Sequence, residues 1–231
     1  MKVLGLDTST LMTTCAIMED DLLLGEFSLN LDMSHSEALV PMIKSLMDNL
    51  KLRMEELDLI AVSTGPGSFT GLRIGVTTAK SFAHVLNKPI VGVSSLEVLA
   101  NNIFVDGIIV PMMDARRDRV FTAIYRRNLN HLEEVLKPNA IEITELISYL
   151  KEDASEATLV GDGSVVYREE LSSSLNGSIR FSPGELNLSR GSSVAKLGLI
   201  KYLKDGSDDF YTLAPDYLRD SQAERNLKLK R

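Results

Sequence analysis

The sequence predicts an α/β protein of two subdomains, and three observations carry that prediction. Short apolar runs separated by polar turns open the chain. Helix-patterned and strand-patterned segments then alternate, and the second half brings strands and helices of its own. Taken in order, residues 3–7 read as a buried strand. Residues 14–18 and 22–28 read as two more, joined as a hairpin by Glu19-Asp20-Asp21. Ser34-His35-Ser36-Glu37 matches a capping box, and Leu39, Ile43, Leu46 and Leu50 follow at helical spacing. Residues 57–63, apolar apart from Asp58 and the closing Ser63, have the pattern of a strand buried on both faces. A glycine-rich turn and a second helix to about residue 86 come next. Asn87-Lys88-Pro89 ends that helix, because proline cannot continue it. Residues 90–93 are another strand, and Ser94-Ser95-Leu96-Glu97 is a second capping box.

The order βββαβαβα is that of the ribonuclease H/actin-like (ASKHA) core, with helices on the faces of a mixed sheet. Past a boundary near Val105, residues 108–113 and 120–125 read as strands around the polar tip Asp114-Ala115-Arg116-Arg117-Asp118-Arg119. Residues 143–150 read as a helix, 158–160 as a strand and 194–203 as a helix. The expected division is 1–104 and 105–231, two subdomains, with the last helix free to pack back on the first.

Composition excludes several classes. A lone Cys15 permits no intrachain disulfide and suits a reducing, cytoplasmic setting. Three histidines (His35, His84, His131) and one cysteine argue against a metal centre. The net charge of −7 and pI near 5.1 make independent nucleic-acid binding a poor expectation. Asp7 interrupts any signal-peptide core, and the longest uncharged stretch, 59–72, is too short to span a bilayer, so no membrane association is expected.

The most informative segment is Ser63-Thr64-Gly65-Pro66-Gly67-Ser68-Phe69-Thr70-Gly71-Leu72-Arg73-Ile74-Gly75. It matches neither a P-loop, which needs lysine after its second glycine, nor a dinucleotide fingerprint, whose third glycine is here Thr70. The turn leads into a helix N-terminus, where free N–H groups suit an anion. Gly67, Gly71 and Gly75 share one helical face at a cost of about 1 kcal/mol each against alanine, so a close approach should compensate. Packing within the chain and packing against a second chain both satisfy that demand.

The run STGPGSFTGLRIGVTTAK, with LGLDTST at the start, Met113-Asp114-Ala115-Arg116-Arg117 and Pro215-Asp216-Tyr217-Leu218-Arg219, resembles the bacterial TsaB (YeaZ) family over essentially the whole chain. The resemblance implies two actin-like subdomains and a non-catalytic paralogue of TsaD, the enzyme that transfers a threonylcarbamoyl group to the adenosine beside the anticodon of tRNA. It implies a heterodimer with TsaD, help in recruiting the ATPase TsaE, and a homodimer through the same surface. That surface would comprise Ser34, His35, Glu37, Leu39, Met42, Ile43 and Leu46 from the first helix. From the second it would take Phe69, Gly71, Leu72, Arg73, Gly75 and Thr78. On this reading Gly71→Leu abolishes pairing and leaves the monomer folded.

Catalytic constellations are missing from the sequence. No H-x-x-x-H pair exists to hold a metal, since Leu39 stands four residues after His35. His84 lies near a helix C-terminus, and His131 is expected in a loop. Asp7-Thr8-Ser9 ends the first strand where actin-like ATPases place an Asp and a phosphate turn. Thr8 and Ser9 replace the usual glycine, so the stronger reading is an Asx turn, with weak nucleotide contact second. Gly161-Asp162-Gly163-Ser164 is a second turn of that kind. No cofactor is required, and ATP or ADP would bind weakly, mainly within a complex. Arg116, Arg117 and Arg119, and a basic tail with Arg219, Arg225, Lys228, Lys230 and Arg231, are candidate contacts for tRNA or an acidic partner. The expected function is therefore a non-catalytic activator. The alternatives are an actin-like ATPase, a glycoprotease-like peptidase acting alone, and a homodimeric nucleotide-binding regulator.

Overall fold

The computed structural model describes residues 1–30, 35–129, 131–152, 156–175 and 177–218. In the first of two five-stranded sheets, β1 (Lys2–Asp7) is central. It runs antiparallel to β2 (Thr13–Glu19), which pairs with β3 (Leu22–Leu29). On its other side β1 is parallel to β4 (Leu59–Gly65), and β4 is parallel to β5 (Ile90–Ser94). Helix α1 (His35–Leu50) leads from β3 to β4, α2 (Phe69–Leu86) from β4 to β5, and α3 (Ser95–Asn101) follows. Asn87, in the left-handed conformation at φ 52°, closes α2.

The second sheet repeats this plan. Here β6 (Gly107–Asp114) is central, β7 (Arg119–Asn128) and β8 (His131–Glu142) complete an antiparallel meander, and α4 (Ile143–Glu152) follows. β9 (Ala157–Val160) is parallel to β6, α5 (Asp162–Val166) and α6 (Arg168–Leu175) come next, and β10 (Ile179–Phe181) is parallel to β9. The strand orders β3-β2-β1-β4-β5 and β8-β7-β6-β9-β10 are the same topology written twice. The last helix, α7 (Gly191–Asp205), returns to the first sheet.

Side-chain alternation along the strands divides the core. Leu4, Leu6, Cys15 and Ile17 face Leu39, Ile43 and Leu46 of α1 and Val76, Ala79 and Ala83 of α2. Val3, Leu59, Ala61 and Val91 face Val194 and Ala195 of α7. Both faces of the sheet are therefore covered, which is why β4 reads as an unbroken apolar run. Leu96 and Leu99 of α3 pack with Ile109, Met113 and Tyr125 of the second sheet and join the halves.

The structure departs from the sequence expectations at several places. His131 begins β8 and does not lie in a loop. β8 is a solvated edge strand carrying Glu133, Glu134 and Lys137, so it shows no apolar run. Helices α5 and α6 and the three-residue β10 are too short to show periodicity. Ser94 is the N-cap of α3, but its hydroxyl accepts no cap bond. The capping-box residue Ser34 and the basic tail from Arg219 lie outside the described residues.

Helix α7 lies close against β4 because Gly198 has no side chain: a Cβ there would overlap the methyl of Ala61. Gly198→Val is therefore expected to lower stability by about 2 kcal/mol or more in urea unfolding. Ile200→Ala, at an exposed position of the same helix, should leave the midpoint within about 0.5 kcal/mol.

Candidate functional site

A cavity of about 420 Å3 opens between the halves. Ser9, Thr10, Leu11 and residues 66–69 line it from the first half. Residues 113–116, Phe121 and Asp162 line it from the second, and Asp216, Tyr217 and Leu218 close one side.

The turn after β1 borders the cleft, but its functional atoms point inward. Asp7 is completely buried. Its Oδ1 accepts from the Ser9 N–H at 2.6 Å and the Ser9 hydroxyl at 2.7 Å. Its Oδ2 accepts from the Ser189 hydroxyl at 2.5 Å and from the Ser63 hydroxyl. A carboxylate with four donors has its acceptor capacity filled. The N–H of Ser9 on the side chain two residues back is the Asx turn. Thr8 is buried too, and its hydroxyl donates to the Gly71 carbonyl at 2.7 Å. The stronger expectation, an Asx turn, is what forms, and the second reading, weak nucleotide contact by the Asp7 and Thr8 side chains, is corrected because both are enclosed in protein. Ser9 is buried as well and reaches the cavity only as wall.

The same turn explains the glycines. A Cβ on Gly71 would overlap the Thr8 carbonyl oxygen, one on Gly75 the Thr8 hydroxyl, and one on Gly67 the Ser9 carbonyl. The four-residue spacing serves close packing inside the chain, not an intermolecular bundle. The anion reading of the α2 N-terminus also loses donors. The Ser68 N–H is spent on the Ser9 carbonyl at 2.7 Å, and the Gly71 N–H on the Ser68 hydroxyl at 3.2 Å.

The candidate partner surface divides accordingly. Leu39, Met42, Ile43, Leu46, Gly71, Leu72 and Gly75 are buried in this chain's own core and cannot meet a second chain. An amphipathic helix places its apolar stripe on its own sheet, and the sequence pattern alone does not say which chain supplies the cover. Glu37 and Arg73 are exposed, Thr78 and Phe69 are half-buried, and His35 pairs through Nδ1 with the Thr13 hydroxyl at 2.7 Å. Ser34 lies outside the described residues.

The three arginines do not converge. Arg116 pairs with Asp114 at 3.2 Å beside the cleft, and Arg117 is exposed at the tip. Arg119 donates through Nη2 to the Ala140 carbonyl at 2.6 Å, which withdraws it from the candidate RNA contact. Asp162 opens α5 and accepts from the Asp114 N–H at 3.2 Å, and burial raises its carboxyl above the ordinary range. Among the described residues, no three His, Cys, Asp or Glu side chains gather as metal ligands would. Nor is any described helix long and apolar enough to cross a membrane. Sequence reasoning missed Ser63 and Ser189 as partners of Asp7, 56 and 182 residues away, and missed Tyr217 as a cleft wall. No local pattern marks partners at that separation.

Two sheets of one topology meeting at a cleft define an actin-like α/β protein of the ASKHA class. The ROK hexokinase of Thermus thermophilus superposes with a TM-score of 0.50 at 11% identity, covering 88% of this chain and 99% of that one. A Pseudomonas aeruginosa structure described as an uncharacterized protein similar to the peptidase YeaZ gives a TM-score of 0.80 at 23% identity. That match covers 94% of this chain and 99% of the other. The sequence profile described as TsaD, tRNA N6-adenosine threonylcarbamoyltransferase, matches residues 30–227. The tRNA threonylcarbamoyladenosine biosynthesis protein TsaB of Bacillus subtilis is 34% identical over 225 residues, 97% of this chain and 96% of the relative. The chain belongs to the TsaB (YeaZ) family.

Two outcomes follow from the site. Gly71→Leu should destabilise the monomer itself, by about 3 kcal/mol or more in urea unfolding, because the Thr8 carbonyl cannot yield. Burial pushes the Cys15 thiol up to about 12, so it carries no thiolate near neutrality. A thiol reagent at pH 8 should leave Cys15 unmodified in the native chain and label it fully after unfolding.

Proposed function

We propose that this chain acts in tRNA threonylcarbamoyladenosine biosynthesis as a non-catalytic subunit that pairs with TsaD and helps recruit TsaE. The observation that carries this reading is the Asp7 carboxylate, whose acceptor capacity is filled by three serines of its own chain. The acid that an actin-like ATPase would turn toward its cation or phosphate is here a structural knot. A peptidase reading gains nothing from Cys15, which is buried and protonated. Family membership supports the pathway, and the sealed site supports the non-catalytic role.

In this reading, pairing with TsaD, or with a second copy, uses the outward edges of α1 and α2. Glu37, Val40, Pro41 and Lys44 of α1 and Arg73, Thr77 and Ser81 of α2 are exposed there, and Val40 is 48% exposed. ATP or ADP is not required and would bind weakly within the complex, tRNA would be met only there, and the setting is the cytoplasm.

Reconstitution with TsaD, TsaE and the enzyme supplying threonylcarbamoyl-adenylate tests the reading. Modified adenosine should fall to background without this chain, and the isolated chain should neither hydrolyse ATP nor cleave peptides. Undiminished modification in its absence would overturn the proposal. Val40→Arg should keep the circular dichroism and urea midpoint while weakening association with TsaD about tenfold or more.

A further inference from the structure

The chain does not leave the molecule after α7. Residues 206–218 return as a strap along the first half. Asp208 fastens it first: its N–H donates to the Ile90 carbonyl at 2.9 Å, and its carboxylate accepts from the Gly92 N–H at 2.7 Å. Lys201 Nζ completes that clasp at 2.9 Å. Leu213 then packs against the core beneath α2, and Lys80 donates to its carbonyl at 3.0 Å. Beyond Leu213 the strap is held at Asp216 and Tyr217. The Asp216 N–H donates to the Thr64 carbonyl at 2.7 Å. The Tyr217 ring stacks on Phe69 with centroids 4.6 Å apart. Arg73 completes the seat, its guanidinium 4.0 Å from the Phe69 centroid and its Nε donating to the Tyr217 hydroxyl at 3.0 Å.

Two properties of this last segment matter together. Tyr217 remains 39% exposed, so it covers its seat without being enclosed by it. The same residues, 216–218, form one wall of the cleft. The seat itself, Phe69 and Arg73, lies on the first turns of α2 and is continuous with the outward face of that helix.

We infer that the end of the strap is an autoinhibitory latch. Tyr217 occupies the aromatic-and-cation seat of Phe69 and Arg73, and an aromatic side chain of a partner docking along α1 and α2 displaces it. Displacement frees residues 215–218 and opens that wall of the cleft. The inference rests on the pairing proposed above and adds to it an order of events: the partner's arrival unlocks the cleft. A stacked ring pair with one hydrogen bond to a guanidinium is strong enough to hold the latch shut and weak enough to be exchanged for an equivalent contact.

The test follows the latch and the pairing separately in the full-length chain. Association with TsaD is measured by sedimentation, and exchange of the Asp216 amide is measured by hydrogen–deuterium exchange. Pairing that strips protection from Asp216 is expected. Tyr217→Ala should lose that protection without TsaD and pair about tenfold more tightly, because the partner no longer competes with the latch. Tyr217→Phe, which keeps the stack, should stay within about threefold of wild type. Pairing with Asp216 still protected, or Tyr217→Ala pairing no better than wild type, overturns the latch and leaves the pairing reading standing. Pairing seen only with Tyr217→Ala supports the latch. Pairing by neither protein overturns both.

Discussion

A single buried carboxylate holds the first half of the molecule in register. Asp7 ends the central strand, and the groups that bind it come from three places in the chain. Ser9 lies in the next turn, Ser63 at the end of β4, and Ser189 in the segment leading into α7. An unpaired carboxylate at that depth would be very costly, so the fold is constrained to bring all three serines to it. Once they arrive, the turn after β1 has one conformation. The Thr8 carbonyl and hydroxyl lie against α2 at Gly71 and Gly75, and the Ser9 carbonyl lies against Gly67 in the turn ahead of the helix, where a Cβ would overlap each of them. The adjacent entry to α7 is also tied down, through the Gly191 N–H on the Thr14 hydroxyl at 3.1 Å.

That constraint leaves the cleft without a free acid at the end of its central strand. Cleft shape comes from two sheets of repeated topology and from the α3 packing that joins them. Chemistry would need an acid at the end of β1 with capacity left for a cation or a phosphate-bound water. Here that capacity is filled from within, and two neighbouring donors at the α2 N-terminus, the N–H groups of Ser68 and Gly71, are engaged by Ser9 and Ser68. Fold alone does not fix function, so what this cleft can do is set by the groups that line it.

Much of this architecture was legible in the sequence. The β1–β5 order follows from runs buried on both faces, from Pro89 after a helix and from the polar turn at Glu19-Asp20-Asp21. β8 escaped notice because an edge strand lined with Glu133, Glu134 and Lys137 has no apolar run to read. The glycine face was legible as a demand for close approach but not as to what approaches. Spacing gives a helical face, while the Thr8 carbonyl that fills it comes from 63 residues away. The same limit applied to the partner surface. An apolar stripe containing Leu39, Ile43 and Leu46 looks alike whether its cover is the chain's own sheet or another chain, and only the folded arrangement shows that the sheet provides it.

Electrostatics point the same way as the sealed site. The net charge is −7, and many of the basic groups that might offset it locally are already engaged. Arg190 pairs with Glu26 at 2.8 Å, Lys201 with Asp208 at 2.9 Å, and Arg180 with Glu156. Lys196 pairs with Asp21, and Arg119 is bound to a backbone carbonyl. Exposed pairs of this kind contribute little to stability, but each places a carboxylate beside the cation and cancels the field a phosphate would sense. Tight RNA binding draws on several uncompensated cations acting together, because each releases condensed counterions. At the hairpin tip Arg117 is exposed, while Arg116 is paired with Asp114 and Arg119 is bound to the Ala140 carbonyl. Among the described residues, pairing of this kind leaves less uncompensated positive charge for a phosphate backbone than the count of basic residues suggests.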